Sequence, residues 1–157
     1  MLRISRLTDY AVVLASRLAV IESPEAVSDL ARWTEIPAPT VSKVLKLLAK
    51  GGVVASTRGA NGGYMLAQPA NVITVAQIVQ SIEGPIAVTE CIDDNTCEHE
   101  GHCGVRANWQ RINDAVLLAI SGITLADMAS TELRLVPLSR SRTEALALRE
   151  KRGVAVP

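Results

Sequence analysis

Between Pro39 and Ala67 the hydrophobic pattern changes its period, and that change dictates the local architecture. Val41, Val44, Leu45 and Leu48 fall at steps of three, one and three, the spacing of one face of an α-helix. Pro39 suits the first turn of that helix, where its missing N–H has no partner to lose. Gly51-Gly52 stops it. The next residues are two short β-capable segments, Val53-Val54-Ala55-Ser56-Thr57 and Tyr64-Met65-Leu66-Ala67, around Arg58-Gly-Ala-Asn-Gly-Gly63. Two such segments about a glycine-rich turn make a β-hairpin. The chain must therefore place a small hairpin directly behind a helix.

Two more helices are expected upstream. Leu7, Ala11, Leu14, Leu18 and Ile21 form one stripe of a helix over 7–21, broken by Glu22-Ser23-Pro24-Glu25. A short second helix follows, with Ser28 as its expected N-cap and Leu30 and Ala31 facing inward. It turns at Thr34-Glu35-Ile36-Pro37 into the helix that begins near Pro39. Helix, turn, helix and hairpin in this order give the winged helix-turn-helix pattern. Charge agrees, since no acidic residue lies between Glu35 and Glu83 while Lys43, Lys46, Lys50 and Arg58 do. Cations without counter-charges are the footprint of a polyanion site. An ordinary solvated face and a merely structural hairpin are the alternatives. Composition supports a helical core: 48 % of residues are hydrophobic, only 3 % are aromatic and none is Phe, so Ala, Val, Leu and Ile must fill the interior.

Downstream, Thr74 is the expected N-cap of a helix bearing Val75, Ile78, Val79 and Ile82, closed by Gly84-Pro85. A longer helix is expected from near Val105. Its residues Val105, Trp109, Ile112, Val116 and Ala119/Ile120 approach a heptad seam, which points to a dimer interface. Thr124-Leu-Ala-Asp127 resembles a capping box for one more short helix. The expected organisation is a DNA-binding domain at 1–84, a cysteine loop at 85–104, a dimerisation helix with a short helix at 105–130, and a flexible tail at 131–157. The fold class is mainly α with a small β-hairpin wing.

Cys91, Cys97 and Cys103 are the only cysteines, each six residues from the next. Their neighbours are Asp, Asn, Glu, His and Gly, which favour a solvated loop over a buried core. Three thiols on one loop can converge on one metal centre, and the odd number argues against a disulfide framework. No apolar run approaches the ~20 residues needed to span a bilayer, and no export signal is seen. The expected location is cytoplasmic, with reduced thiols, no membrane partner and no small-molecule substrate. A zinc or thiol-redox repressor remains an alternative, although zinc sites commonly pair cysteines more closely. An iron–sulfur electron-transfer component is another, but no catalytic dyad or nucleotide motif accompanies the cysteines, so no enzyme is expected.

Three segments together resemble the IscR, NsrR and RirA type of iron–sulfur winged-helix regulators. They are Arg3-Ile-Ser-Arg-Leu-Thr-Asp-Tyr10-Ala-Val, the stretch from Val53-Val54 to Arg58-Gly-Ala-Asn-Gly-Gly-Tyr64, and the cysteine triplet. The likeness covers roughly residues 1–130, and the opening most resembles the subgroup that regulates the SUF system of iron–sulfur assembly. The resemblance implies a homodimer on palindromic double-stranded DNA, each subunit holding a 2Fe–2S or 4Fe–4S cluster through Cys91, Cys97 and Cys103. It implies that Thr40, Ser42 and Lys43 face bases in the major groove, that Lys46 meets phosphate, and that Arg58 enters the minor groove. Ser5, Arg6 and Tyr10 match positions that touch the DNA backbone. IscR-like members carry a histidine three residues after the last cysteine, where this chain has Arg106. Other members draw a carboxylate from the partner's first helix, and Asp9 matches that position as a fourth ligand. His99 and His102 are further candidate ligands or simply solvated loop residues, and Asp9 could equally serve as a helix N-cap.

Overall fold

The computed structural model describes residues 4–21, 23–59, 62–89, 92 and 104–130. Helices α1 (Arg6–Ala19), α2 (Val27–Thr34) and α3 (Ala38–Lys50) lead into strands β1 (Val54–Thr57) and β2 (Gly63–Leu66). Helices α4 (Val75–Glu83), α5 (Arg106–Ser121) and α6 (Leu125–Ala129) complete the order. The strands pair antiparallel with Val54 opposite Leu66 and Thr57 opposite Gly63.

One aliphatic core joins these elements. Ala11, Leu14 and Leu18 of α1 meet Leu30 of α2, the four apolar residues of α3, and Ile73 and Ile78 around the start of α4. Val41, Val44, Leu45 and Leu48 are all fully buried, so the sequence stripe is the inner face of α3. Helix α6 returns to the same core through Leu125. Two backbone bonds fix that return: Leu125 N–H donates to Ile73 O at 2.8 Å, and Ala126 N–H donates to Ala70 O at 3.0 Å.

The caps explain where the helices begin. Ser5, not Asp9, caps α1, its side chain accepting from Thr8 N–H at 3.2 Å. Asp9 instead occupies the first turn, where a carboxylate favours the positive end of the helix dipole. Thr74 caps α4 as expected, and Thr124 with Asp127 closes a reciprocal capping box on α6. Ser28 is not a cap: α2 starts one residue earlier, behind Ala26. Glu25 exchanges backbone hydrogen bonds with Tyr64 of β2, both at 2.9 Å. That bridge holds the chain extended up to Ala26, and tertiary pairing overrides the local preference of Ser28. Helix α1 also ends two residues short of Ile21, with Val20 as its C-cap.

The Glu25 bridge accounts for Gly63. A Cβ there would lie 2.5 Å from Glu25 O, so only glycine lets the third strand-like segment seat against the hairpin. The Glu25 carboxylate also meets Arg17 at 3.3 Å. The Arg17 guanidinium lies 4.6 Å from the centroid of the Trp33 ring. The wing is thereby tied to α1 and, through Trp33, to α2.

At the other end of α3, Gly51 presses against α4. A Cβ on Gly51 would stand 1.9 Å from Ser81 Oγ, and Ser81 Oγ already donates to Gln77 O at 2.7 Å. Gly51→Ala should therefore lower stability by about 1–3 kcal/mol through overpacking, read as a lowered urea midpoint at unchanged slope.

Candidate nucleic-acid interface

Burial of one side of α3 determines what the other side offers. Lys43, Lys46 and Lys50 are exposed, and Thr40 and Ser42 are partly so. A shallow concavity is lined by Pro39, Ser42, Lys43, Lys46, Leu47 and Lys50. Lys43, Lys46 and Lys50 are spaced by three and four residues, so they share one stripe of the helix. Lys50 belongs with the expected pair, and its spacing was readable in the sequence although it was not assigned a contact there. None of the four cations Lys43, Lys46, Lys50 and Arg58 has an ion-pair partner among the described residues. Arg58 is exposed where β1 gives way to the glycine-rich turn. Such cations can neutralise phosphates, while the small polar groups near the start of α3 suit base edges.

The turn between α2 and α3 holds these two helices at their angle. Glu35 adopts a left-handed conformation (φ 57°), and Ile36 beside it is buried in the core. Ile36 N–H donates to Thr34 Oγ1 at 3.4 Å, and Thr34 Oγ1 donates to Leu30 O at 2.7 Å.

A second concave surface is formed by Ile4, Ser5, Arg6 and Asp9 at the start of α1. Arg6 and Asp9 are exposed. Tyr10 is partly buried and packs against the core. The Ser5 hydroxyl is occupied in capping and in a contact to Glu83, the last residue of α4. The Thr8 hydroxyl, itself buried, also donates to the Glu83 carboxylate. Hydrogen bonds from the Ser5 side chain, the Thr8 side chain and the Ser5 backbone hold the Glu83 carboxyl below its ordinary range, against a smaller upward push from burial. Sequence reasoning missed this contact. Glu83 ends the acid-free window, but nothing local pairs it with a residue 75 positions earlier.

The candidate cluster ligands Cys91, Cys97 and Cys103 and the loop histidines His99 and His102 lie outside the described residues, as does the tail 131–157. Among the described residues, no group of three or more His, Cys, Asp or Glu side chains could hold a metal ion. Three thiolates suit iron–sulfur ligation, and Asp9 presents an exposed carboxylate on the first turn of α1. Arg106 cannot take the place of a ligating histidine, because a guanidinium has no lone pair to offer.

Helix α5 is the exception to the burial pattern. Trp109, Ile112 and Leu118 are 36 %, 45 % and 47 % exposed, and its one buried residue is Asn113. No helix among the described residues is long and apolar enough to cross a membrane.

Residues 4–131 match the model of a family described as Rrf2, iron-dependent transcriptional regulator. The HTH-type transcriptional repressor NsrR of Streptomyces coelicolor is 29 % identical over 132 residues, covering 82 % of this chain and 89 % of that protein. The HTH-type transcriptional regulator IscR of Pectobacterium atrosepticum is 26 % identical over 123 residues, covering 78 % of this chain and 75 % of its own. Among solved structures, CymR, the global cysteine regulator of B. subtilis, superposes with a TM-score of 0.66 at 32 % identity, covering 84 % of this chain and 99 % of that one.

For Glu83 the pH dependence has a definite sign. A carboxyl whose folded pKa is depressed contributes stability above its unfolded value and loses it as pH falls through the folded value. Thermal midpoints measured from neutrality down to about pH 3 should therefore show wild type ahead of Glu83→Gln at neutral pH. The gap should close on acidification.

Proposed function

Because the chain belongs to the Rrf2 family of iron-dependent transcriptional regulators, we propose that it acts as a homodimer whose DNA binding responds to an iron–sulfur cluster held by Cys91, Cys97 and Cys103. Transcriptional regulation, not catalysis, is the activity of the family. The observation that carries the DNA-binding part is the outward face of α3, with Lys43, Lys46 and Lys50 on one stripe and Ser42 beside them.

In this reading α3 enters the major groove, with Thr40, Ser42 and Lys43 toward base edges and Lys46 against phosphate. Arg58 reaches the neighbouring minor groove from the wing, and Arg6, with Ser5 and Tyr10 beside it, meets the DNA backbone at the start of α1. The exposed apolar residues Trp109 and Ile112 of α5 supply the surface that a second copy covers. Two-fold pairing then presents two α3 helices to a palindromic operator.

Cys91, Cys97 and Cys103 would hold the cluster, with Asp9 of the partner subunit as the candidate fourth ligand. When bound, the cluster supplies an oxidant-labile inorganic centre whose loss signals iron or oxidative stress. The protein's part is to ligate it and transmit its presence, since a segment that orders around a metal turns binding energy into ordering energy. The opening sequence supports genes of SUF-type iron–sulfur assembly as targets.

A second reading comes from the likeness to CymR. On the same winged scaffold the three thiols would act in a zinc or thiol-redox switch. An anaerobic preparation separates the two: visible absorbance with bound iron supports the cluster, whereas a colourless protein that cannot be reconstituted sinks it.

Gel shifts with the protein's own upstream DNA should show different affinities for cluster-loaded wild type and Cys91→Ala. Equal affinity on every fragment would remove the sensing function. Lys46→Ala should weaken binding to all sequences and reduce the slope of log affinity against log salt by about 1. Ile112→Glu should convert the dimer to a monomer, as read by light scattering.

A further inference from the structure

Helix α5 buries a single side chain, and that side chain is polar. Asn113 is 3 % exposed while Trp109 and Ile112, on the turn before it, stand open. A buried amide is retained only where it satisfies another polar group. The partner here is specific: the Asn113 side-chain oxygen accepts from Val88 N–H at 3.0 Å, across 25 residues.

Val88 lies on the arm that leaves α4. Gly84 caps that helix, its N–H donating to Gln80 O at 3.0 Å. Pro85 has no N–H to offer, and the arm continues through Ile86, Ala87 and Val88 toward Cys91. No strand pairs with this arm among the described residues, so the Val88 N–H finds its partner in a side chain. The far end of the cysteine segment enters α5 directly, since Cys103 stands three residues before Arg106. Asn113 is two turns further along the helix, about 10.5 Å up its axis.

The Asn113–Val88 bond therefore closes a ring. One side is the helix from Arg106 to Asn113, and the other runs from Val88 through the three cysteines. Helix α4 already packs against α5; the bond adds a fastening beyond the end of α4, where the arm runs on toward Cys91. With it, any change in the span of the segment between Cys91 and Cys103 bears on the same helix at two points two turns apart.

We infer that Asn113 is the positioning residue that couples the cysteine segment to α5, through the backbone of Val88. This rests on the proposed function for its regulatory meaning, but the anchor itself is testable without a cluster. Asn113→Ala removes the acceptor, and Val88→Pro removes the donor while leaving Asn113 intact.

The first measurement is amide hydrogen exchange on the full-length, cluster-free dimer. In Asn113→Ala the Val88 amide should exchange at least about tenfold faster than in wild type, with the α1 and α3 amides unchanged. Unchanged exchange at Val88 overturns the anchor. The second is affinity for the protein's own upstream DNA, with and without reconstituted cluster, expressed as a ratio. Each single variant should move the wild-type ratio toward one by about threefold or more. Because both remove one bond, the double variant should move it no further than either alone. A variant that merely destabilised the fold would lower both affinities and leave the ratio. Should Asn113→Ala fail to fold, by circular dichroism, Val88→Pro alone carries the ratio test. A retained ratio in a folded variant overturns the inference. A wild-type ratio of one would instead refute cluster sensing, and the exchange result would still decide the anchor.

Discussion

Complete burial of one side of α3 is the constraint from which the rest follows. Val41, Val44, Leu45 and Leu48 reach into the core with no accessible surface, so the helix cannot roll without exposing a leucine or burying a lysine. Fully burying each aliphatic side chain is worth about 1.5–3 kcal/mol, whereas burying an unpaired lysine is prohibitive. The face carrying Lys43, Lys46 and Lys50 is therefore set by what lies behind it. The Gly51 contact with Ser81 at one end and the buried Ile36 at the other fix its tilt. The face proposed to meet DNA thus sits on a rigid element whose orientation is decided by aliphatic packing.

The wing is held at its base by the same aliphatic core, through Val54 and Leu66, and farther along by a different kind of force. Its two strands could not hold a fixed attitude alone, since a lone hairpin is marginal in water. Glu25 supplies what is missing by pairing its backbone with Tyr64, with Gly63 leaving room for the approach. The Arg17–Glu25 pair is mostly buried, so the cost of taking its two ions out of water offsets much of their attraction, and the Arg17–Trp33 stacking adds to it only modestly. Their value is geometric, since they join the wing to α1 and α2, and so relate Arg58 to the cations of α3. The exposed Trp33 is accounted for in this way, as a lid over a guanidinium.

Periodic and punctuating signals made much of this legible in advance. The α3 stripe, the Gly51-Gly52 stop, the Thr74 cap and the Thr124–Asp127 box depend on residues within four positions of each other, and the structure follows them. What was not legible depends on distant partners. Ser28 looked like a cap, but the pairing of Glu25 with Tyr64, 39 residues later by number, set the start of α2. The engagement of Ser5 and Thr8 by Glu83 and of Val88 by Asn113 has no local signature. The heptad spacing of α5 was readable, yet it gave no hint that Asn113, off that stripe, would be the one residue the helix buries. Propensity and period describe a chain against itself, and these contacts are made against the fold.

The polar contacts that sequence reasoning missed share a location, and this gives them a common meaning. Glu83 ends α4 and engages Ser5 and Thr8 at the start of α1, beside Arg6 and Asp9. Val88, five residues on, engages Asn113 of α5. The arm from Glu83 to Val88 is thus fastened at one end to the helix start proposed to meet DNA, and at the other to the helix proposed to meet a second subunit. Hydrogen bonds, unlike aliphatic contacts, are lost over small displacements. A few polar bonds at these two points can therefore switch in discrete steps, while the aliphatic core around α3 stays as it is. A change arising among the cysteines would meet this arm and α5 before it met the core. In the proposed homodimer, that order of rigidity would let the two α3 helices change their spacing without loosening either of them.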